Sequence, residues 1–319
     1  MLKVKRPAVS AGRWQASSGA DTTFLMRPPD VARLLLLALL WGGAYLFMRS
    51  AAPAFGAGPM IFLRMALGSL LVLLPLTVWR GGLAPMRRHW KPIAVMGIAF
   101  TALPFIGLGY AALSITAGMM AVIQSAAPIF SAIVGWIWLR EPIPPLRATG
   151  LVIGLAGVAI LVWDKVGVRD DASVAILITI AMTVLWGVSS NFARVKLAGV
   201  DPLATATGAI SAAALVLAPV AAMTWPAEPP SLKAWAEVAF LGVASSGLGF
   251  ILYYGLISTI GAVRATSVTF LIPAVTMVLG ALYLSEPITL RMVLGCAVVL
   301  IGTALTLGLV TPSFARSRS

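Results

Sequence analysis

Long apolar runs recur ten times along the chain and are separated by short polar connections. Each run, at roughly 17–25 residues, is long enough to cross about 30 Å of hydrocarbon as an α-helix. Because the connections are short, no soluble domain is expected between the runs. The predicted spans are residues 31–50, 59–79, 92–112, 116–139, 147–163, 173–192, 203–224, 235–257, 262–284 and 290–310.

The runs predict helices and not the strands of a membrane barrel. The stretch RLLLLALLWGGAYLFM, which begins at Arg33 and ends at Met48, shows no alternation of polar and apolar residues. Barrel strands need only about 9–11 residues to cross a membrane, which is about half the length of these runs. We therefore predict an all-α polytopic membrane protein with ten transmembrane helices.

The two ends of the chain are polar. Residues 1–30 are basic, rich in Ser and Gly and without an apolar core, so they do not have the pattern of a signal peptide. We expect a disordered cytoplasmic tail at 1–30 and a short cytoplasmic tail at 311–319. Met26, just before the first span, is a second candidate for the translation start.

Composition supports the membrane assignment and removes several kinds of chemistry. The 319 residues are 60% hydrophobic and 10% charged, with a mean hydropathy of +0.99. Ordinary soluble domains are about 45–50% apolar and about 25% charged. A single cysteine, Cys296, excludes an intramolecular disulfide, and a single histidine, His89, leaves too few ligands for a thiolate or imidazole metal site. We expect no cofactor and no metal.

The basic residues predict the orientation in the membrane. The net charge of +13 is spread between the apolar runs, which argues against a nucleic-acid partner. With the N-terminus inside, 17 basic residues lie on the inner side, and five lie on the outer side. Positive charge accumulates on the cytoplasmic side of membrane proteins. We expect a multi-pass protein of the bacterial inner membrane with both termini in the cytoplasm.

The chain repeats itself with a shift of 145 residues. The phrase LREPI at 139–143 returns as LSEPI at 284–288, and LWGGAYLFMR at 40–49 returns as LWGVSSNFAR at 185–194. Shared hydrophobicity alone does not bring Trp, Pro, Glu and Arg into one register, so the chain contains two copies of one unit.

The two copies are five-helix units at residues 31–165 and 172–310. Because five is an odd number, the second copy crosses the membrane in the opposite direction. Inverted repeats of this kind are common in secondary transporters, whose substrate site lies near the bilayer midplane between the two halves. A duplication that serves packing alone is the alternative interpretation.

These motifs resemble the EamA-type family of the drug/metabolite transporter (DMT) superfamily. The resemblance is carried by LWG in the first and sixth spans, FLRMALG at 62–68, and LREP and LSEP at the ends of the fourth and ninth spans. It covers about residues 31–310. It implies ten helices in two repeats and transport of amino acids, other metabolites or drugs, often outward, but it does not select the substrate.

Two tryptophans, Trp41 and Trp186, are predicted close to the bilayer midplane. Each precedes an arginine at the end of its span, Arg49 or Arg194, by eight residues, or about 12 Å along a helix. This depth is below the interfacial aromatic belt, so each indole N–H needs a partner or a cavity to face. Helix packing and cavity lining are both open at this stage.

Two prolines, Pro128 and Pro273, lie near the centres of the fourth and ninth spans. A proline inside a helix frees the carbonyl four residues earlier, and in hydrocarbon that carbonyl needs a partner. Two interpretations are open. Neighbouring hydroxyls bind the freed carbonyls and the kinks are only structural, or the kinks act as hinges beside a substrate site. The candidate substrate-binding residues around them and the tryptophans are Trp41, Tyr45, Gln124, Ser125, Trp186, Ser190, Asn191, Thr266 and Thr269.

One basic residue, Arg64, is predicted inside a span. A charge at that depth costs about 2.5–3.5 kcal/mol on the insertion scale, so it needs a partner or a route to the interface. Arg64 either extends to the outer interface or to helix-end carbonyls, or it attracts an anionic group such as a substrate carboxylate. No acidic residue is predicted deep in a span, which favours facilitated export over proton coupling.

The repeated glutamates, Glu141 and Glu286, are predicted at opposite ends of the bundle. Each precedes the first turn of the next helix, where a carboxylate can accept from free N–H groups and meet the positive end of the helix dipole. We expect both to be structural caps.

Two further groups of residues are interpreted as scaffold. Tyr253 and Tyr254, near the end of the eighth span, are expected to be interfacial anchors. The glycines of the fifth and tenth spans predict close helix packing, either within the bundle or in a homodimer through these helices.

The main interpretation is a secondary transporter that works by alternating access, with a small-molecule substrate and the lipid bilayer as its partners. An intramembrane enzyme is disfavoured, because the sequence has no GxSxG, no paired histidines and no intramembrane aspartate pair. A non-transporting membrane receptor or assembly protein with the same fold stays open. Substrate flux in liposomes that contain only this protein separates the two.

Overall fold

The computed structural model describes residues 26–163 and 171–309, and its long apolar segments are helical. The ten-helix fold is confirmed within this part of the chain, with nine long apolar helices and a tenth, shorter one. The ten are α1 Pro28–Phe55, α2 Ala57–Trp79, α3 Trp90–Ala111, α4 Ala117–Leu139, α5 Pro145–Val162, α6 Asp171–Lys196, α7 Pro202–Met223, α8 Leu232–Ile260, α9 Val268–Leu284 and α10 Leu290–Leu307.

Short helices occupy two of the connections, Leu83–Arg88 between α2 and α3 and Ala262–Ala265 before α9. The predicted C-terminal tail, and the predicted N-terminal tail up to residue 25, lie outside the described residues. Large apolar side chains such as Trp79, Leu215 and Leu282 are exposed on the outside of the bundle, as expected of a surface that faces lipid.

Three of the helices contain π-helical segments that hydrophobic periodicity does not reveal. They are Gly68–Leu73 in α2, Ile98–Ala102 in α3 and Phe240–Leu248 in α8. The segments in α3 and α8 overlap after the shift of 145, so they belong to the repeated unit. A π-helical turn adds a residue and turns the following side chains to a new direction, and such turns often lie at functional sites.

The predicted kink in the fourth span is a break between two helices. The first part of α4 ends at Gln124, and the second part, Ala127–Leu139, begins with Pro128 in its first turn. A proline there loses no helical hydrogen bond, because the first N–H groups of a helix have no partner within it. Pro273, in contrast, lies inside α9, as predicted.

The LREP and LSEP turns fold their glutamates back along the preceding helix. Arg140 and Ser285 adopt left-handed conformations, with φ of 54° and 55°. The next N–H, on Glu286, then donates to the carbonyl of Gly280 at 3.1 Å. A Cβ added to Gly280 would lie 2.7 Å from Glu286 Oε2, so only glycine leaves room for the returning carboxylate.

This turn corrects the prediction that each glutamate caps the next helix. Thr289 caps α10, accepting a bond from the Met292 N–H at 3.2 Å, and α5 begins without a side-chain cap. Glu286 instead accepts from the N–H of Ala117, at the start of α4 in the other repeat. The left-handed residue turns the carboxylate away from the following helix.

Glycines join helices of different repeats at equivalent positions. A Cβ on Gly42 of α1 would lie 2.7 Å from Val275 of α9, and a Cβ on Gly187 of α6 would lie 2.7 Å from the Phe130 backbone of α4. Thr276 also donates to the Gly42 carbonyl at 3.1 Å. Helices α1 and α9, and α6 and α4, therefore form two matching pairs.

The glycine faces of α5 and α10 pack against each other within the chain. A Cβ on Gly302 would collide with the Gly154 backbone, and one on Gly157 would lie 2.6 Å from the Val299 nitrogen. These glycines are therefore used inside the bundle. A homodimer through α5 and α10 stays a prediction and would have to use their other faces.

Gly302→Ala is expected to lower the thermal unfolding midpoint of the detergent-solubilised protein. The added methyl has no space against Gly154, and overpacking of a tight contact costs about 1–3 kcal/mol. Gly255→Ala is the matched control, because a Cβ there meets nothing within 4 Å. Equal midpoints for the two variants would contradict the close packing of α5 and α10.

Candidate functional site

A cavity of about 730 Å³ runs from the middle of the bundle to one end. We call this end, where α1 begins and α6 ends, the inner end, and the opposite end the outer end. Trp41, Tyr45 and Arg64 line the cavity at mid-depth, whereas Glu141 and Arg194 line it at the inner end. The cavity is therefore open to the side that the charge distribution predicts to be cytoplasmic.

The outer half of the bundle is filled with side chains. Among the largest fully buried residues, Phe55, Met60, Met65, Met120 and Ile123 all lie in the outer halves of α1, α2 and α4. Close packing of such residues leaves no room for a ligand path. The structure is thus hollow on the inner side and closed on the outer side.

All nine residues predicted to bind substrate line this cavity, and so do Pro128 and Arg64. Pro273 and Glu286 are not among the residues that line it. Binding of a substrate by the nine stays a prediction, but the structure brings together residues that lie up to 228 positions apart, from Trp41 to Thr269.

At mid-depth, α1 and α4 are joined by a hydrogen bond between two of these residues. The Tyr45 hydroxyl donates to Gln124 Oε1 at 3.3 Å. The other end of this amide, Gln124 Nε2, is buried and has no hydrogen-bond partner in the described part of the chain. A buried donor without an acceptor costs about 1–3 kcal/mol. Such a group gains from a ligand that brings an acceptor.

The two repeated tryptophans have different surroundings. Trp41 donates its indole N–H to the carbonyl of Ser245, in the π-helical segment of α8, at 3.2 Å. Trp186 packs edge-on against Phe105, with ring centroids 5.4 Å apart, and no acceptor for its indole N–H lies among the described residues. Both line the cavity. Trp41 thus also joins helices, while the Trp186 donor is available.

Asn191 is held by bonds between α4 and α6. Its Nδ2 donates to the carbonyls of Ser131 and Gly187, each at 2.9 Å, and its Oδ1 accepts from Arg194 Nη2 at 2.7 Å. Ser190, beside it, shares a 2.7 Å hydrogen bond with the Ser131 hydroxyl. These contacts give Asn191 and Ser190 a role in fixing α4 against α6 as well as a place on the cavity wall.

The Arg64 guanidinium lies inside the bundle, so the alternative in which it extends to the outer interface is wrong. It is buried and donates to the hydroxyls of Ser246 and Ser245 at 3.0 and 3.5 Å and to Met48 Sδ at 3.0 Å. Its carbon lies 4.3 Å from the centre of the Phe105 ring. No carboxylate among the described residues lies within ion-pair distance of it.

The sequence interpretation missed the aromatic walls of α3 and α8. Phe100 and Phe105, and Phe250 and Tyr254, line the cavity close to the π-helical segments. Tyr254 was expected to be an interfacial anchor, and its place on the cavity wall corrects that interpretation. The altered turn directs these side chains inward, and a regular helical period does not predict it.

The fold and the cavity together define a class of protein. A helical membrane protein of two inverted five-helix repeats, with a polar and aromatic cavity at mid-depth between them, has the architecture of secondary transporters. A family model described as the EamA-like transporter family matches residues 31–163 and 173–308. The chain belongs to this family.

Individual relatives agree with this class. An uncharacterized transporter of Archaeoglobus fulgidus is 25% identical over 84% of this chain and 95% of its own. A probable terminal-alkyne amino-acid exporter of Streptantibioticus cattleyicolor is 24% identical over 86% of this chain and 93% of its own. A crystal structure with 22% identity, a TM-score of 0.65 and coverage of 89% of this chain and 99% of its own supports the fold.

A thiol introduced into the cavity is expected to react from the inner side only. With Cys296→Ala, which removes the single native thiol, Ser190→Cys should react with a membrane-impermeant maleimide in inside-out vesicles and not in right-side-out vesicles. Ser190 lines the cavity and is exposed. Leu113→Cys, exposed at the outer end, is the control with the opposite pattern. Equal labelling of Ser190→Cys from both sides would contradict a closed outer end.

Proposed function

We propose that this protein is a secondary transporter of the inner membrane that exports small metabolites by alternating access at a site between its two repeats. The cavity at mid-depth, open at one end and sealed at the other, is the observation that carries the proposal. An exporter must load its substrate from the cytoplasm, and the open end is the one predicted to face it. The inverted repeats provide two equivalent arrangements of one fold, which alternating access requires.

Amino acids and related compounds with a carboxylate are the proposed substrates. Arg64 is a buried cation at the cavity wall whose protein partners are hydroxyls, a thioether and an aromatic ring. A substrate carboxylate would supply the missing anion and form the strong type of charge-assisted hydrogen bond. The similarity to a probable terminal-alkyne amino-acid exporter supports the same class.

The rest of the substrate is proposed to be apolar or aromatic. Tryptophan, phenylalanine and tyrosine side chains from four helices surround the mid-depth cavity, including Phe105, Trp186, Phe250 and Tyr254. Their flat faces suit hydrophobic or aromatic groups. The volume of about 730 Å³ lies within the range of small-molecule sites, which are about 300–1,000 Å³.

Transport is proposed to be facilitated and not coupled to protons. Within the described part of the chain, Glu141 is the one acidic residue that lines the cavity, and it lies at the inner end beside Arg194. Proton-coupled carriers commonly change the protonation of a carboxylate deep in the membrane. A pH gradient that drives uphill amino-acid movement in proteoliposomes would refute this part of the proposal.

Proteoliposomes that contain only this protein should release labelled amino acids from a metabolite panel. Arg64→Gln is expected to reduce flux of carboxylate compounds by roughly 10- to 100-fold, because a hydrogen bond to a charged group contributes about 1.5–3 kcal/mol. Flux of the corresponding uncharged amides should change little. Trp41→Ala and Gln124→Ala should also reduce flux.

Two matched variants control for general damage. Arg80→Gln removes an exposed arginine from the end of the same helix, and Trp79→Ala removes an exposed tryptophan. Both should transport like the parent protein. If Arg64→Gln and Trp41→Ala also transport normally at normal expression, the cavity is not the substrate site. If no member of the panel moves, a receptor or assembly role is favoured.

A further inference from the structure

Two arginine–glutamate pairs join the repeats at opposite ends of the bundle. At the outer end, Arg49 Nε of α1 lies 3.8 Å from Glu286 Oε1, which follows α9. At the inner end, Arg194 Nη1 of α6 lies 2.9 Å from Glu141 Oε1, which follows α4, and Nη2 lies 3.1 Å from Oε2. The shift of 145 relates Arg49 to Arg194 and Glu141 to Glu286, so these are two copies of one device.

Each pair is crossed between the repeats. The arginine of the first repeat binds the glutamate of the second, and the arginine of the second binds the glutamate of the first. The LREP and LSEP turns make this possible, because they fold each glutamate back along its own helix toward the neighbouring arginine. The glutamates therefore couple the two halves of the protein at both ends.

The outer pair is embedded in the closed end of the bundle. Arg49 Nη1 donates to the carbonyls of Ala112 and Leu113, at the end of α3, at 2.7 and 3.1 Å. Glu286 accepts from the N–H of Ala117, the first residue of α4, at 3.1 and 3.2 Å. The two side chains are 31% and 11% exposed. The pair thus binds both the end of α3 and the start of α4.

The inner pair makes none of the corresponding contacts in the described structure. Arg194 and Glu141 bind each other, and Arg194 also binds Asn191, but both side chains of the pair are 52% exposed and face the open cavity. By the shift of 145, the counterparts of Ala112 and Leu113 are Ile257 and Ser258, in the last turn of α8. The repeated pair is therefore embedded at the outer end and exposed at the inner end.

We propose that the two ion pairs close the two ends of the cavity in turn, the outer pair in one conformation and the inner pair in the other. Their four side chains are thus positioning residues. When the inner end closes, Arg194 donates to the carbonyls of Ile257 and Ser258, and Glu141 becomes buried against the chain that joins α8 to α9. At the same time Glu286 leaves Ala117, and Arg49 leaves the end of α3. Each conformation then has one embedded pair and one exposed pair, so weakening one seal shifts the balance toward the conformation that the other seal closes.

The break in α4 and the proline in α9 suit this exchange. Glu141 and Glu286 lie at the ends of these two helices, and Pro128 and Pro273 lie between the glutamates and the opposite ends. The outer part of α4 packs against α9, so rocking about the middle would separate the outer ends and bring the inner ends together. The exchange rests on the alternating access of the proposed function.

Distances between spin labels can test the exchange without any substrate. With Cys296→Ala in lipid nanodiscs, labels at Tyr110→Cys and Ile288→Cys, both exposed near the outer end, should report mainly one short distance. Glu286→Gln weakens the outer seal and should increase the fraction of a longer distance roughly tenfold. Arg49→Gln should do the same.

A second glutamate substitution distinguishes a pair of seals from a single structural contact. Adding Glu141→Gln to Glu286→Gln weakens both seals, so the longer-distance fraction should fall back toward that of the parent. Glu228→Gln, an exposed loop carboxylate, is the control and should change nothing. If folded Glu286→Gln and Arg49→Gln proteins keep the parent distances, or the double variant stays open, the exchange is refuted.

The readout separates this inference from the proposed function. The distances require no transport, so normal flux with no change in distance would sink the exchange alone. A shift in distance without flux for any metabolite would sustain the exchange and refute the transporter proposal.

Discussion

Polar groups inside a membrane must find their partners within the protein, and this constraint organises the whole bundle. Water is absent from the hydrocarbon region, so each unpaired donor or acceptor there is costly. The indole N–H of Trp41 uses a carbonyl of α8, the amide of Asn191 uses carbonyls of α4 and α6, and Thr303 of α10 donates to the carbonyl at the break in α4. Most of these bonds join different helices, so satisfying polar groups also fixes their arrangement.

Among the described residues, the exceptions to full satisfaction lie around the cavity, and Thr205 Oγ1 is one of them. Gln124 Nε2 and the Trp186 indole lack acceptors within the described residues, and Arg64 lacks a carboxylate there. Three donors without strong acceptors, close together at mid-depth, are a costly arrangement for a scaffold. They suit a protein that binds an acceptor-rich molecule for part of its cycle and gives it up again. If the protein itself supplied strong acceptors to these donors, a bound substrate would gain no hydrogen bonds from them.

The sequence predicted the ten helices and the repeat because both depend on patterns that extend over many residues. It also placed Trp41, Gln124 and Thr269 in one region, since depth in the membrane follows from distance to the helix ends. The π-helical segments were not predicted, because one extra residue in a turn leaves the hydrophobic pattern almost unchanged. The predicted role of Glu141 and Glu286 as caps of the next helix was wrong. The left-handed turn places their carboxylates against Gly135 and Gly280, and local sequence rules do not include such packing.

The crossed contact between Glu286 and Ala117 also has a consequence for how the protein is made. The N–H at the start of α4 finds its carboxylate only on a residue that follows α9, which is synthesised about 170 residues later. Until then the first half contains a helix end whose partner does not yet exist. The first repeat can therefore enter the membrane before the second, but it reaches its final packing only when nearly the whole chain has been inserted. Formation of this contact is therefore a late event, because a residue that follows α9 completes the start of α4.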